Sequence, residues 1–145
     1  MNRYSSPSRE KTAALGKAFA ATLVPGDVVA LFGELGAGKT QFVSGVCQGL
    51  RVEGHVASPT FTLINEYPAP FGTVAHVDLY RIERTPELAE LGIQEYFRTD
   101  CICLIEWAER ALGILPPGHY RVKLLFGGDE GSREILVGGG DEVFP

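Results

Sequence analysis

Three features of the 145-residue chain predict an α/β fold: a three-layer sandwich around a mostly parallel, mixed sheet, ending in a C-terminal β-hairpin. Val28-Val29-Ala30-Leu31-Phe32 and Cys101-Ile102-Cys103-Leu104-Ile105 are continuously apolar, the pattern of strands covered on both faces. Helical periodicities alternate with them, as the crossovers between parallel strands require. Tyr120 to Phe126 and Glu134 to Val137 are β-rich and flank Gly127-Gly128-Asp129-Glu130-Gly131, a turn composition. At this length one domain covering residues 1–145 is expected. A chain of this size buries roughly two thirds of the surface it exposes when unfolded.

The elements follow in order. Ser6 is read as a helix cap with Pro7 at the first helical position, and Leu15, Ala18, Phe19, Thr22 and Leu23 as the buried face. Pro25-Gly26-Asp27 breaks the chain before the first apolar strand. A glycine-rich turn then opens a helix from Thr40 to Leu50, with Phe42, Val43, Val46, Cys47 and Leu50 inward. Phe61 to Tyr67 and Thr73 to Leu79 are β-rich neighbours. Thr85-Pro86-Glu87 starts a short helix capped by Thr85.

Composition limits the functions open to such a chain. Thirteen Lys and Arg against 18 Asp and Glu leave a net charge of −5. An acidic chain is poorly suited to neutralising phosphates by itself, so no DNA binding is expected, and any tRNA role would run through a partner. Cys47, Cys101 and Cys103 form no CxxC, and His55, His76 and His119 show no paired ligand spacing, which argues against a zinc site. The N-terminus lacks the apolar core of a signal peptide, and no run approaches the roughly 20 apolar residues of a membrane span. A cytoplasmic protein is expected.

Gly33-Glu34-Leu35-Gly36-Ala37-Gly38-Lys39-Thr40 fits G-x-x-x-x-G-K-[ST]. At this composition roughly 0.006 accidental matches are expected along the chain. The loop also sits where its mechanism demands, after an apolar strand and before an amphipathic helix. Glycines at 33, 36 and 38 allow positive φ and let backbone N–H groups approach phosphate oxygens. The helix directs its positive end at the same anion. Lys39 would reach the β- and γ-phosphates, and the Thr40 hydroxyl would ligate Mg²⁺. Glu34 is expected to point outward, because a carboxylate inside the loop would repel phosphate. The fold expected is therefore P-loop NTPase-like.

Two acids occupy strand ends, where ligands bind in open α/β sheets. Glu106 closes the Cys101 strand in the manner of a Walker B acid, and Asp78 closes Val74-Ala75-His76-Val77. Either one alone also suits a solvated strand end. Beside a P-loop each becomes a candidate for holding Mg²⁺ or orienting the attacking water. Ser58-Pro59-Thr60 reads equally well as a proline turn or as a loop on which Thr60 senses the γ-phosphate. Trp107, the single tryptophan, follows Glu106 and is expected near the nucleotide. No N-K-x-D or D-x-x-G motif of a guanine-specific switch protein is present. No insertion resembles a kinase lid, although Arg81 and Arg84 remain candidates for one. The readings left open are an ATPase, a nucleotide-gated binding module without required turnover, and a small-molecule kinase.

Taken with the P-loop, Ser58-Pro59-Thr60-Phe61-Thr62-Leu63, His76-Val77-Asp78-Leu79-Tyr80-Arg81, Glu87-Leu88, Leu91-Gly92-Ile93, Glu95-Tyr96-Phe97 and Ile105-Glu106-Trp107 resemble the bacterial TsaE (YjeE) family over nearly the whole chain. Gln41 is a departure, standing where many members carry a second Thr. The resemblance implies a cytoplasmic Mg-ATPase, slow alone, that supports threonylcarbamoyl-adenosine formation on ANN-decoding tRNAs together with the TsaD–TsaB pair. It implies catalytic roles for Lys39, Asp78, Glu106 and Thr60, and metal contacts from Thr40, Glu106 and Asp78. Nucleotide contacts are implied for Gly33, Glu34, Leu35, Gly36, Ala37, Gly38, Lys39, Thr40 and Gln41, with Glu10, Thr12 and Trp107 nearby.

Overall fold

The computed structural model describes residues 1–54, 56–59 and 62–139. Strand β1 (Asn2–Ser6) leads to helix α1 (Arg9–Ala20), strand β2 (Val28–Phe32) and helix α2 (Lys39–Gly49). Strands β3 (Ile64–Ala69) and β4 (Gly72–Asp78), helix α3 (Thr85–Leu91), strand β5 (Cys101–Glu106) and strands β6 (Tyr120–Phe126) and β7 (Arg133–Gly139) complete the order. Short 3-10 segments, Ile93–Tyr96 and Ala108–Ile114, flank β5.

Among the described residues these strands form one seven-stranded sheet in the order β1-β7-β6-β2-β5-β4-β3. Its centre is parallel, with β2 between β6 and β5 and β5 beside β4. The edges are antiparallel: β3 on β4, β6 on β7, and β7 on β1. The central strands are buried on both faces, as their unbroken apolar runs require. Val29, Leu31, Val74, Ile102, Leu104, Val122 and Leu124 pack with Phe19, Phe42, Val43 and Val46 of α1 and α2. Val28, Ala30, Ala75, Val77, Cys103 and Ile105 pack on the other face with Leu88, Ile93, Ala108 and Ala111. These are the three layers the sequence predicts, with the expected C-terminal hairpin.

The N-terminus differs from expectation. Ser6 does not cap the helix; it ends β1, and α1 is capped by Ser8, whose Oγ accepts from the Lys11 backbone N–H at 3.1 Å. The Ser6 hydroxyl is buried and pairs with Thr12 Oγ1 at 2.7 Å. Strand formation wins here because residues 2–6 pair with β7, a partner invisible to local pattern. The register of α1 shifts accordingly: Thr12, Gly16, Phe19 and Ala20 are its buried residues, whereas Ala18 and Thr22 are exposed. Thr85 likewise occupies the first helical position of α3 rather than the cap, which falls on Arg84. Strand β3 starts at Ile64, after Leu63 adopts a left-handed φ of 68°. Phe61 and the start of the predicted strand lie outside the described residues.

Helices α1 and α2 cross in backbone contact. A Cβ added at Gly45 would lie 1.9 Å from the Ala13 carbonyl oxygen, and one at Gly16 would lie 2.2 Å from that of Phe42. Glycine therefore permits an approach that no side chain tolerates, and it fixes α1 against the start of α2.

Gly45→Ala is expected to destabilise the fold by about 1–3 kcal/mol despite the better helix propensity of alanine, because overpacking against a backbone outweighs it. Gly113→Ala, with nothing within 4 Å of the added methyl, serves as the neutral control. Urea midpoints with unchanged slopes measure both, and a Gly45→Ala midpoint at the wild-type value would contradict the close crossing. Burial also pushes the Cys47 thiol up to about 12 from an ordinary 9.0 and raises Cys103 in the same direction. Each group stays protonated in the folded chain while the unfolded thiol ionises. Its stabilising contribution is thus present below pH 9.0 and declines as pH rises towards about 12. Replacing both by alanine should flatten that alkaline decline in urea titrations.

Candidate functional site

Parallel pairing brings the carboxyl ends of β2, β5 and β4 to one level. Glu106 is opposite Leu31 of β2 on one side and opposite Asp78 of β4 on the other. Side chains alternate along a strand, so Asp78 and Glu106 share the face of Leu31, Val74 and Leu104, the face covered by α1 and α2. Both carboxylates are 3% exposed. Asp78 Oδ1 accepts from the Tyr80 backbone N–H at 2.9 Å, which turns the chain at the strand end.

The glycine loop leaves β2 beside Glu106 and enters α2. Gly33, Gly36 and Gly38 have φ of 149°, 82° and 96°, the positive values expected of a loop that turns its amides inward. Gly38 is the N-cap of α2 and no side chain caps that helix, which leaves its first turn to an external acceptor. Glu34 is exposed, as predicted. Lys39 is 5% exposed; its Nζ donates to the Gly33 carbonyl at 2.5 Å and lies 3.6 Å from the centre of the Trp107 ring. Burial lowers the pKa of its ammonium, against the opposing pull of Glu106, Glu109 and Asp78.

Trp107 reaches that position through a left-handed backbone, φ 57° and ψ 42°, which costs about 1–2 kcal/mol for a residue with a Cβ. The turn folds the indole back beside the loop as soon as Glu106 has left the sheet. Its ring packs against Tyr80, tilted by 47°, with centroids 5.0 Å apart. The Arg110 guanidinium stands 5.8 Å from the Trp107 ring and donates to the carbonyls of Tyr80 (2.7 Å) and Ile82. This joins the turn after β4 to the turn after β5. Arg133 of β7 donates to the carbonyls of Gly36 (3.0 Å) and Ala37 (3.1 Å). It braces these two loop carbonyls from a strand distant in sequence.

These residues surround a cavity of about 510 Å³. Of the residues the sequence singled out, Thr12, Leu35, Gly36, Gly38, Lys39, Thr40, Gln41, Asp78, Glu106 and Trp107 line it. Gly33 contributes its carbonyl to Lys39, and Ala37 is buried beneath the loop. Glu34 and the exposed Glu10 lie outside the lining; the register of α1 turns Arg9 and Thr12 to this side instead. Thr60 lies outside the described residues, although its neighbour Ser58 is in the lining. Sequence reasoning missed Arg9, Tyr80, Glu130, Gly131 and Arg133. Only Tyr80 carried a signal, being two residues beyond Asp78.

Among the described residues no group of three or more His, Cys, Asp or Glu side chains is arranged to hold a metal. Two carboxylates and the Thr40 hydroxyl around one cavity fit Mg²⁺ nonetheless, since that ion takes one or two protein oxygens and completes its shell with water and phosphate.

A glycine loop joining strand to helix, a buried lysine at the helix start and acids at two adjacent strand ends define a P-loop nucleotide-binding protein. The family model described as threonylcarbamoyl adenosine biosynthesis protein TsaE matches residues 6–135, and the chain belongs to that family. A tRNA threonylcarbamoyladenosine biosynthesis protein TsaE from Bacillus subtilis is 41% identical over 133 residues, which cover 92% of this chain and 82% of that one. Its counterpart from Haemophilus influenzae is 44% identical over 110 residues, 76% of this chain and 70% of the other. The crystal structure of Bacillus subtilis YdiB superposes with a TM-score of 0.80 at 35% identity, covering 97% of this chain and 86% of that one. No helix among the described residues is long and apolar enough to cross a membrane.

Arg133→Met removes both donors to the loop carbonyls while keeping much of the side-chain volume. Amide hydrogen exchange at Ala37, whose N–H donates to the Glu34 carbonyl, is expected to accelerate by about tenfold or more, equivalent to one lost charge-assisted bond, while β2 amides stay protected. Unchanged exchange in the loop would rule out the brace.

Proposed function

We propose that this chain is a Mg²⁺-dependent ATPase that supports threonylcarbamoyl-adenosine modification of ANN-decoding tRNAs in the cytoplasm, acting with TsaD and TsaB and turning over slowly when alone. The observation that carries the reading is the convergence of Lys39, Thr40, Asp78 and Glu106 on one cavity at the carboxyl ends of β2, β4 and β5. Membership of the TsaE family supports the pathway, and the net charge of −5 supports contact with tRNA through partners.

The loop amides of residues 33–38, with Gln41 and the start of α2, are assigned to the phosphates. Lys39 supplies a charge to their outer oxygens once it leaves the Gly33 carbonyl. Thr40 and Glu106 would hold Mg²⁺, with Asp78 beside them, and the ion would neutralise charge on the transferred phosphoryl group. Asp78 or Glu106 would also accept a hydrogen bond from the attacking water. Thr60 is assigned to sensing the γ-phosphate, and Thr12 and Trp107 to the flanks of the nucleotide.

The test is steady-state Mg-ATP hydrolysis by the chain alone and with TsaD and TsaB added. Feeble turnover that rises with the pair is expected. Lys39→Ala should cost about 1.5–3 kcal/mol of phosphate binding, and Glu106→Gln and Asp78→Ala should impair hydrolysis far more than binding. Wild-type turnover in Glu106→Gln would remove that residue from the chemistry, and indifference to the pair would dissociate the ATPase from this pathway.

A further inference from the structure

His76 is completely buried in the middle of β4, on the same face as Asp78. Its Nε2 lies 2.5 Å from Oε2 of Glu106, across the diagonal from its own register partner Leu104. Its Nδ1 is buried with no hydrogen-bond partner. An imidazole with an orphaned nitrogen is an expensive occupant for a position whose strand neighbours are Ala75 and Val77 and whose cross-strand neighbours are Leu104 on β5 and Asn65 on β3, the amide of Asn65 being engaged with Thr62, Ala57 and Tyr67 and not with the imidazole. The orphan identifies the tautomer: an unpaired acceptor lone pair is easier to bury than an unpaired N–H, so the hydrogen sits on Nε2 and is donated to the carboxylate.

We propose that His76 is the positioning residue for Glu106, an assignment that rests on the metal-assisted reading of the site. A glutamate has three rotatable bonds, and at the end of β5 its carboxylate would otherwise sample several directions. The bond from His76 fixes one oxygen inside the sheet layer, which leaves the other for the cavity that Glu106 lines together with Lys39 and Thr40. His76 does not line that cavity and has no exposed surface, so it acts on whatever binds there only through Glu106. This is the outer-shell arrangement that sets the direction and basicity of a ligating group.

The test compares wild type, His76→Leu and His76→Gln by titration calorimetry with a non-hydrolysable ATP analogue, in Mg²⁺ and in EDTA. Leucine fills the space without a donor; the terminal amide of glutamine carries an N–H to nearly the place of Nε2. His76→Leu is expected to lose roughly 10–100-fold of the affinity gained from Mg²⁺ and to bind as wild type does in EDTA. His76→Gln should restore the metal response to within about threefold, because it returns the donor. In a Glu106→Gln background, His76→Leu should add nothing further. A folded His76→Leu protein with the wild-type metal response overturns the assignment, as does a loss of equal size in EDTA. Should the leucine variant fail to fold, His76→Asn takes its place, since its shorter amide does not reach Glu106; a metal response equal to that of His76→Gln would then overturn the proposal. A wild-type affinity indifferent to Mg²⁺ would instead overturn the metal-assisted reading and this assignment with it.

Discussion

Parallel hydrogen bonding between β2, β5 and β4 is the constraint from which the site follows. One register places Leu31, Glu106 and Asp78 side by side, so the loop after β2 and the two acids are delivered to a single edge of the sheet. A slip of one residue would turn each acid to the opposite face, away from α1 and α2. The buried apolar faces of β2 and β5 hold that register, because a slip would also exchange the residues that pack in the two layers. The chemistry at the strand ends thus depends on Val28 to Leu31 and on Cys101 to Ile105, none of which touches the cavity.

Around this edge the chain adds braces from elements distant in sequence. Arg133 comes from β7 to the carbonyl side of the glycine loop, and Arg110 ties together the two turns that carry Tyr80 and Trp107. The glycine crossing of α1 and α2 does comparable work behind the loop, since it sets how far Thr12 and Arg9 reach over the cavity. Lys39 rests among these groups on a carbonyl and an aromatic face, a neutral cradle for a cation near two carboxylates.

The parts of the fold legible in the sequence are those whose signal is local. The two apolar runs, the amphipathic face of α2 and the glycine loop each declare themselves within about ten residues, and Asp78 and Glu106 are readable as the acids that end such runs. Strand β1 was illegible because Asn2-Arg3-Tyr4-Ser5 has no buried face; it is a strand only by virtue of its partner. For the same reason the first helix cap falls on Ser8 and not on Ser6. Arg133 is separated from Ala37 by 96 residues and His76 from Glu106 by 30, and no spacing rule relates such pairs. Composition pointed to His76 only as a histidine without a second ligand, and its role rests on an atom-level contact.

The pairing of β1 with β7 bears on synthesis. Asn2 lies opposite Val137 and Ser6 opposite Arg133, so β1 can take its place in the sheet only after β7 has emerged from the ribosome. Until then β1 has no partner in the sheet, and Ser6 has yet to be enclosed with Thr12. Closing a loop that spans nearly the whole chain is a late and entropically costly step. Arg133 reaches the glycine loop when the β6–β7 hairpin joins β2, a pairing that also requires β7. Completion of the sheet edge and bracing of the loop therefore both wait on β7.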